Sequence, residues 1–221
     1  MDGHAGYWRR KVVNAVFIRE AFDHAGIAEL PGAVYDQLSD YLELLLRWNA
    51  RFSLTSITDR EQIIRRHLVE CAFAAQYLPA DVETLLDFGS GAGLPGLIFT
   101  ICRPEIRVTL AEAQAKKASF LLEALRTVGS RAEVYHGRVE NLPEARTFDV
   151  VSMRAVEKMD LAIPAAIERV SKYLVLFTTT KSVSGFQRLS EELEWLPAIS
   201  LPNSGQMILA IGAIRRPLSP N

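Results

Sequence analysis

LLDFGSGAGLPG, residues 85–96, runs from an apolar pair through an aspartate into four glycines within eight residues. An apolar run that ends this way predicts a buried strand, a bare loop and then a helix, with Pro95 suited to the helix's first turn. Gly89, Gly91 and Gly93 permit positive φ and leave no Cβ between the main chain and a ligand. In open sheets built from alternating strands and helices, ligands bind beyond the carboxyl ends of the strands. The loop is therefore the expected start of a binding site.

On the C-terminal side the alternation continues. VETLLDF, RVTLAEA, AEVYH, FDVVSM and YLVLFTTT read as strands, and LPGLIFTIC, AKKASFLLEALRTVG, MDLAIPAAIERVS and GFQRLSEELEWL (185–196) as helices. Such alternation predicts an α/β fold, a parallel sheet with helices on both faces. The tail PAISLPNSGQMILAIGAI predicts an antiparallel hairpin turning at Asn203-Ser204-Gly205. On the N-terminal side, residues 7 to about 79 carry apolar residues at three- and four-residue spacing and no strand signal. Pro31-Gly32 divides the first helix from the second, and Thr58 or Asp59 can cap the third. The expected organisation is a helical extension over 1–80 and a ligand-binding domain over 81–221.

Composition narrows the function. The 221 residues carry a net charge of −1, so a polyanionic partner must be met by a local patch. Two cysteines, Cys71 and Cys102, and four scattered histidines give no disulfide framework and no metal-ligand spacing. No uncharged apolar run reaches membrane-spanning length, and the N-terminus lacks a signal-peptide pattern. A soluble cytoplasmic protein without a metal is expected.

Two cofactors fit the glycines. GAGLPG (91–96) satisfies the dinucleotide pattern GxGxxG, whereas DFGSGAG (87–93) reads DxGxGxG, the form found in S-adenosyl-L-methionine (SAM) methyltransferases. A dinucleotide brings a pyrophosphate that needs free backbone N–H groups and a helix N-terminus. SAM brings cationic groups, which Asp87 favours. Glu112, closing the second strand, is placed to accept from two ribose hydroxyls. Arg138, Arg154 and Lys181 each follow a strand, so parallel strands would turn all three to one crevice, as an anionic substrate requires. Val139 and Glu140 lie beside Arg138 within reach of an adenine. Arg47, Arg51, Arg60, Arg65 and Arg66 outnumber Asp59 and Glu61 over residues 47–67, with His67 in addition, and suggest a phosphate-contacting face. Trp48 and Phe52, at helical spacing among them, are expected in the core.

With WNARFSLTSI (48–57), RRHLVE (65–70), LLDFGSGAGLPG, LAEAQAKKASFL (110–121), GRVENL (137–142) and SMRAVEKM (152–159) in this order, the chain resembles the glucose-inhibited division protein B family, bacterial guanine-N7 methyltransferases of 16S ribosomal RNA. The resemblance implies a class I SAM-dependent methyltransferase, with a Rossmann-like, mostly parallel sheet, an antiparallel C-terminal strand and an N-terminal helical extension. It implies transfer to N7 of a guanine in the 530 loop, with 16S RNA or the small ribosomal subunit as partner; no membrane and no obligate protein partner is expected. Gly89 and Leu94 would line the methionine side of SAM, Glu112 would take the ribose, and Val139 and Glu140 the adenine. Arg154 would stand at the active-site mouth with Arg138, and Arg47, Arg51, Arg65, Arg66, His67 and Lys181 would face RNA. The chain departs from the family pattern at Ser53, at Glu70-Cys71 and at Lys181-Ser182.

Guanine N7 has a lone pair and no proton to lose, so Arg138 and Arg154 are expected to position substrate, with no general base. Two alternatives stay open. One is an NAD-dependent oxidoreductase, although no Tyr-x-x-x-Lys follows the fourth or fifth strand. The other is a diverged, non-catalytic SAM- or RNA-binding relative.

Overall fold

The computed structural model describes residues 2–188 and 191–215. Helices α1 (Asp2–His24) and α2 (Gly32–Asn49) are separated at Pro31, which stands as the N-cap of α2. The Asp59 carboxylate accepts from the Gln62 amide at 2.9 Å and starts α3 (Arg60–Ile63). The same helix then widens into a π-helical turn, Ile64–Leu68, and returns to α geometry as α4 (Val69–Ala75). Spacing of apolar residues does not reveal such a turn; π-turns are uncommon and gather at functional sites.

The second part alternates as expected: β1 (Thr84–Phe88), α5 (Gly96–Cys102), β2 (Arg107–Glu112), α6 (Ala115–Val128), β3 (Glu133–His136), β4 (Phe148–Arg154), α7 (Met159–Ile167) and β5 (Val170–Thr179). A 3₁₀ turn at Val139–Asn141 joins β3 to β4. After α8 (Val183–Arg188) come β6 (Leu193–Trp195), β7 (Ile199–Ser200) and β8 (Met207–Ile214). The eight strands form one sheet in the order β3-β2-β1-β4-β5-β8-β6, with β7 also on β8. β1 to β5 are parallel, and β8 runs antiparallel to β5, β6 and β7.

The helix expected over 185–196 is corrected. Among the described residues the helix covers Val183–Arg188, and Leu193–Trp195 pairs with Gly212–Ile214. Leu193 is buried while Glu194 is exposed, the two-residue alternation of a strand, and the pairing covers an otherwise open edge of β8. The expected hairpin forms, with Asn203 and Gly205 at φ 61° and 59°.

Strand alternation divides the core. Leu85, Val150, Val175, Phe177, Leu209 and Ile211 point to one face, where α2, α4, α5 and α6 cover them. Leu86, Val151, Leu174, Leu176 and Ala210 point to the other, beneath α7. Both faces are buried, hence the nearly continuous apolar strands. The N-terminal helices share the first cluster with the sheet, Ile18, Tyr41 and Leu68 lying in the same apolar mass as Leu85 and Phe177.

Candidate functional site

The glycine loop stands at the carboxyl end of β1. Gly89, Gly91 and Gly93 adopt φ of 72°, 57° and 85°, a region costly for residues with a Cβ. The Ser90 amide donates to Ala111 O, Gly93 and Leu94 amides donate to Ser90 O, and Leu97 N–H donates to Gly93 O. The Gly91 amide donates to Glu112 Oε2 at 2.9 Å, and the Gly96 amide to Asp87 Oδ2 at 3.1 Å. Pro95 has no N–H. The Leu94, Gly96 and Leu97 amides, which a pyrophosphate at the start of α5 would seek, are thus taken by the protein's own oxygens, which weakens the dinucleotide reading.

Asp87 itself lies beneath the loop. Its Oδ1 accepts from the Ser152 hydroxyl at 2.8 Å, and burial pushes its pKa up to about 6, against the pull of Ser152, Ser90 and Gly96. The structure gives it the role of a loop anchor, because β1 alternation aims residue 87 at the face covered by α2, α4, α5 and α6. Glu112, also buried, spends one lone pair of each oxygen on Gly91 and Gln114 amides; a carboxylate keeps others.

A cleft of about 440 Å³ opens beside the loop. Phe88, Ala111, Val139 and Val156 supply apolar lining, and Gly89, Arg138, Glu140, Glu157 and Lys158 also reach it. Leu94 is buried behind the loop and is not among the lining residues. The segment after β4 that closes the cleft holds two non-glycine residues at positive φ, Ala155 at 51° and Lys158 at 53°. Local strain of this kind collects at functional sites.

The three cations expected to converge do not. Arg138 lines the cleft and Lys181 is exposed beyond β5. Arg154 is turned to the opposite face of the sheet, stacked 5.1 Å over the Phe177 ring. Its guanidinium donates to Glu70 Oε2 at 2.6 Å, Arg66 O at 3.0 Å, Cys71 Sγ at 3.2 Å and His67 Nδ1 at 3.3 Å. The reason is again alternation: residues 150, 152 and 154 share one face, and the cleft is lined from the other. Arg66 and His67 lie in the π-turn, and Glu70 and Cys71, where the chain departs from the family pattern, follow it in α4. Burial pushes the Glu70 pKa up while Arg154 pulls it down, the net shift being upward. Burial raises the Cys71 thiol to about 12.

His67, expected to face RNA, is half-buried and bonded within the protein. Burial, helped by Arg154, lowers its pKa to about 4. Arg154 can only donate, so Nδ1 accepts and the ring proton sits on Nε2, 2.9 Å from Thr55 Oγ1. Of the other basic residues, Arg60 is tied to Glu43 and Asn14 and Arg65 pairs with Glu61 at 2.8 Å. Arg47, Arg51 and Arg66 are exposed. Of the two aromatics expected in the core, Trp48 is half-buried against it and Phe52 is exposed.

Sequence reasoning missed Tyr41. Fully buried on α2, its hydroxyl donates to Ala92 O at 2.7 Å, so the helical extension holds the glycine loop from behind. Asn49 was also missed: its Oδ1 accepts from Leu54 and Thr55 amides and its Nδ2 donates to Thr55 O, organising the loop after α2. The Trp-Asn pair of the quoted WNARFSLTSI is the signal that could have found it.

Among the described residues no group of three His, Cys, Asp or Glu is placed to hold a metal, and no helix is long and apolar enough to cross a membrane. Sheet order, loop and extension define an α/β, Rossmann-like methyltransferase fold with N-terminal helices. M. jannaschii TYW2, solved in complex with AdoMet (SAM), shares that fold at a TM-score of 0.51 and 13% identity, over 64% of this chain and 72% of that one. The model of the GidB family, rRNA small subunit methyltransferase G, matches residues 34–190, and the chain belongs to this family. Ribosomal RNA small subunit methyltransferase G of Methylobacillus flagellatus is 38% identical over 136 residues, 61% of this chain and 65% of the relative. That of Chloroflexus aggregans is 41% identical over 140 residues, 60% of this chain and 58% of the relative. The matched region spans less than two thirds of either relative's length.

Proposed function

We propose that the protein transfers a methyl group from SAM to N7 of a guanine in 16S ribosomal RNA. The observation that carries the cofactor choice is the loop whose Gly96 and Leu97 amides are taken by Asp87 and Gly93, beside a cleft bearing carboxylates. That arrangement suits a ligand with cationic groups and a ribose, and not one with a pyrophosphate. In this reading Glu112 accepts from the ribose, Val139 and Glu140 flank the adenine, and Gly89 lines the methionine side, with Asp87, Gly91, Gly93 and Leu94 holding the loop in shape. The bound cofactor would supply a methyl group activated on a sulfonium.

The chain's own residues would position and shield. Arg138, on the cleft rim, orients the anionic substrate. Arg154, fixed by Glu70 and by the π-turn, holds the helical extension against the end of β4 and organises charge there; both its neutral neighbour His67 and its thiol neighbour Cys71 are unsuited to move protons near neutral pH. An acceptor nitrogen with a free lone pair needs no base, which fits that set. Arg47, Arg51, Arg65, Arg66 and Lys181 would meet RNA phosphates.

Methylation of small subunits and of naked 16S RNA lacking the modification, with the methylated base mapped by mass spectrometry, tests the assignment. Methyl transfer to neither substrate by a protein that binds SAM would refute the enzymatic reading. Within it, Arg138→Ala should lower methyl transfer at least tenfold and leave SAM affinity within about twofold, the mark of substrate positioning. Glu112→Ala should weaken SAM binding at least tenfold, since hydrogen bonds to a charged acceptor contribute roughly 1.5–3 kcal/mol each. Calorimetry on the two variants separates the roles.

A further inference from the structure

On the helical side of the molecule a groove of about 530 Å³ lies where α2 and the loop after it meet α6, lined by Arg47, Trp48, Ala50, Arg51, Phe52 and Glu123. Phe52 is 37% exposed, against the expectation that it belongs to the core. Its support is rigid. The ring centroid is 5.4 Å from that of Trp48, whose edge rests on Phe120 at 5.6 Å and whose indole N–H donates to Glu123 at 3.0 Å. The loop carrying Phe52 is tied down by Asn49, as described above.

Cations surround this ring. Lys116 Nζ stands 5.2 Å from the Phe52 centroid, and Arg47 and Arg51 are exposed with no ion pair among the described residues. Glu123, the carboxylate of the lining, is engaged by Trp48. A flat apolar ring held rigidly among positive charges matches what an unpaired nucleotide offers: a π-face and a phosphate on either side. A protein partner's apolar side chain would leave three desolvated cations without a counter-charge.

We propose that Phe52 is a stacking platform for an unpaired base of the substrate RNA, with Arg47, Arg51 and Lys116 holding the flanking phosphates. The proposal rests on the RNA reading above and deepens it, replacing a diffuse basic face by a defined base-binding groove. Its location is suited to the task. Lys116 lies three residues beyond Ala113, which lines the cleft, so the two residues are at most about 10 Å of chain apart. Thr55 of the Phe52 loop contacts His67, and His67 contacts Arg154 at the end of β4.

The test measures equilibrium binding of a short mixed-sequence single-stranded oligoribonucleotide and of the same strand annealed into a duplex. Phe52→Ala should weaken single-strand binding about 5- to 150-fold, the range of one base–aromatic stack, and leave duplex binding nearly unchanged. Phe52→Trp should restore affinity, with its emission quenched on binding. SAM affinity should match the wild type in both variants, as Phe52 does not line the cofactor cleft. Single-strand binding indifferent to Phe52→Ala, while Arg47→Ala/Arg51→Ala still weakens it, overturns the platform and leaves the RNA reading standing; a groove serving a protein partner gives that result. Absence of RNA binding by the wild type overturns both.

Discussion

Arg154 shows how much a single residue's environment can matter. Glu70, 1% exposed, has one oxygen on Arg154 and the other without a partner among the described residues. Breaking such a pair leaves a buried charge alone, at about 3–5 kcal/mol, whereas removing both charges is often tolerated. Arg154→Met should therefore lower unfolding stability by several kcal/mol, and Arg154→Met/Glu70→Met should recover most of that loss; chemical denaturation compares them. His67 supplies a second residue-level expectation. Its folded pKa of about 4 lies below the ordinary 6.5, so the unfolded chain takes up a proton that the folded one refuses. Its contribution is complete above pH 6.5 and is lost as pH falls towards 4. His67→Gln should lessen the acid loss across that window, by at most about 3 kcal/mol. Asp87 works in the opposite sense: its pKa of about 6 exceeds 3.8, so the folded chain keeps a proton and stability declines as pH rises from 3.8 through 6.

At the scale of elements, the junction of β1, the glycine loop and α5 depends on close approach. A Cβ on Gly96 would meet Asp87 Cβ and Leu110 Cδ2, each at 2.5 Å. Both belong to central strands, and neither can retreat freely. Gly96→Ala should cost about 1–3 kcal/mol by overpacking, seen as a lower thermal midpoint, and should weaken SAM binding because the Gly96–Asp87 contact is displaced. An unchanged midpoint would show that α5 can shift away from the sheet. This junction was largely legible from LLDFGSGAGLPG: apolar strand, left-handed glycines and a helix start each follow from local chemistry. The π-turn was not, since Ile64, Leu68 and the residues around them satisfy ordinary helical spacing. Nor was β6, where Leu193–Trp195 has helix-compatible neighbours and becomes a strand only because β8 presents an open edge.

At the scale of the whole molecule, the helical extension is not a separate body. Tyr41 holds the glycine loop, Arg154 is held by the π-turn, and one apolar cluster runs through both parts. The family match over 34–190 likewise crosses residue 80. The full chain should unfold in one cooperative transition, and residues 81–221 alone should fail to form a soluble monomer, because the sheet face beneath α2 and α4 would be bared to water. Two separate calorimetric transitions, or a stable 81–221 fragment, would contradict this.

The division of labour between sequence and tertiary structure follows from range. Strands, helices, the left-handed glycines and the family were legible because period, glycine chemistry and motif order are properties of neighbouring residues. Which face each side chain meets was not. Alternation along β4 sends Arg154 away from the cleft, burial strips His67 of its charge, and Asp87 is drawn under its own loop. Those outcomes depend on what lies across the sheet, up to 88 residues away in the case of Arg66 and Arg154, and only folding brings such partners together.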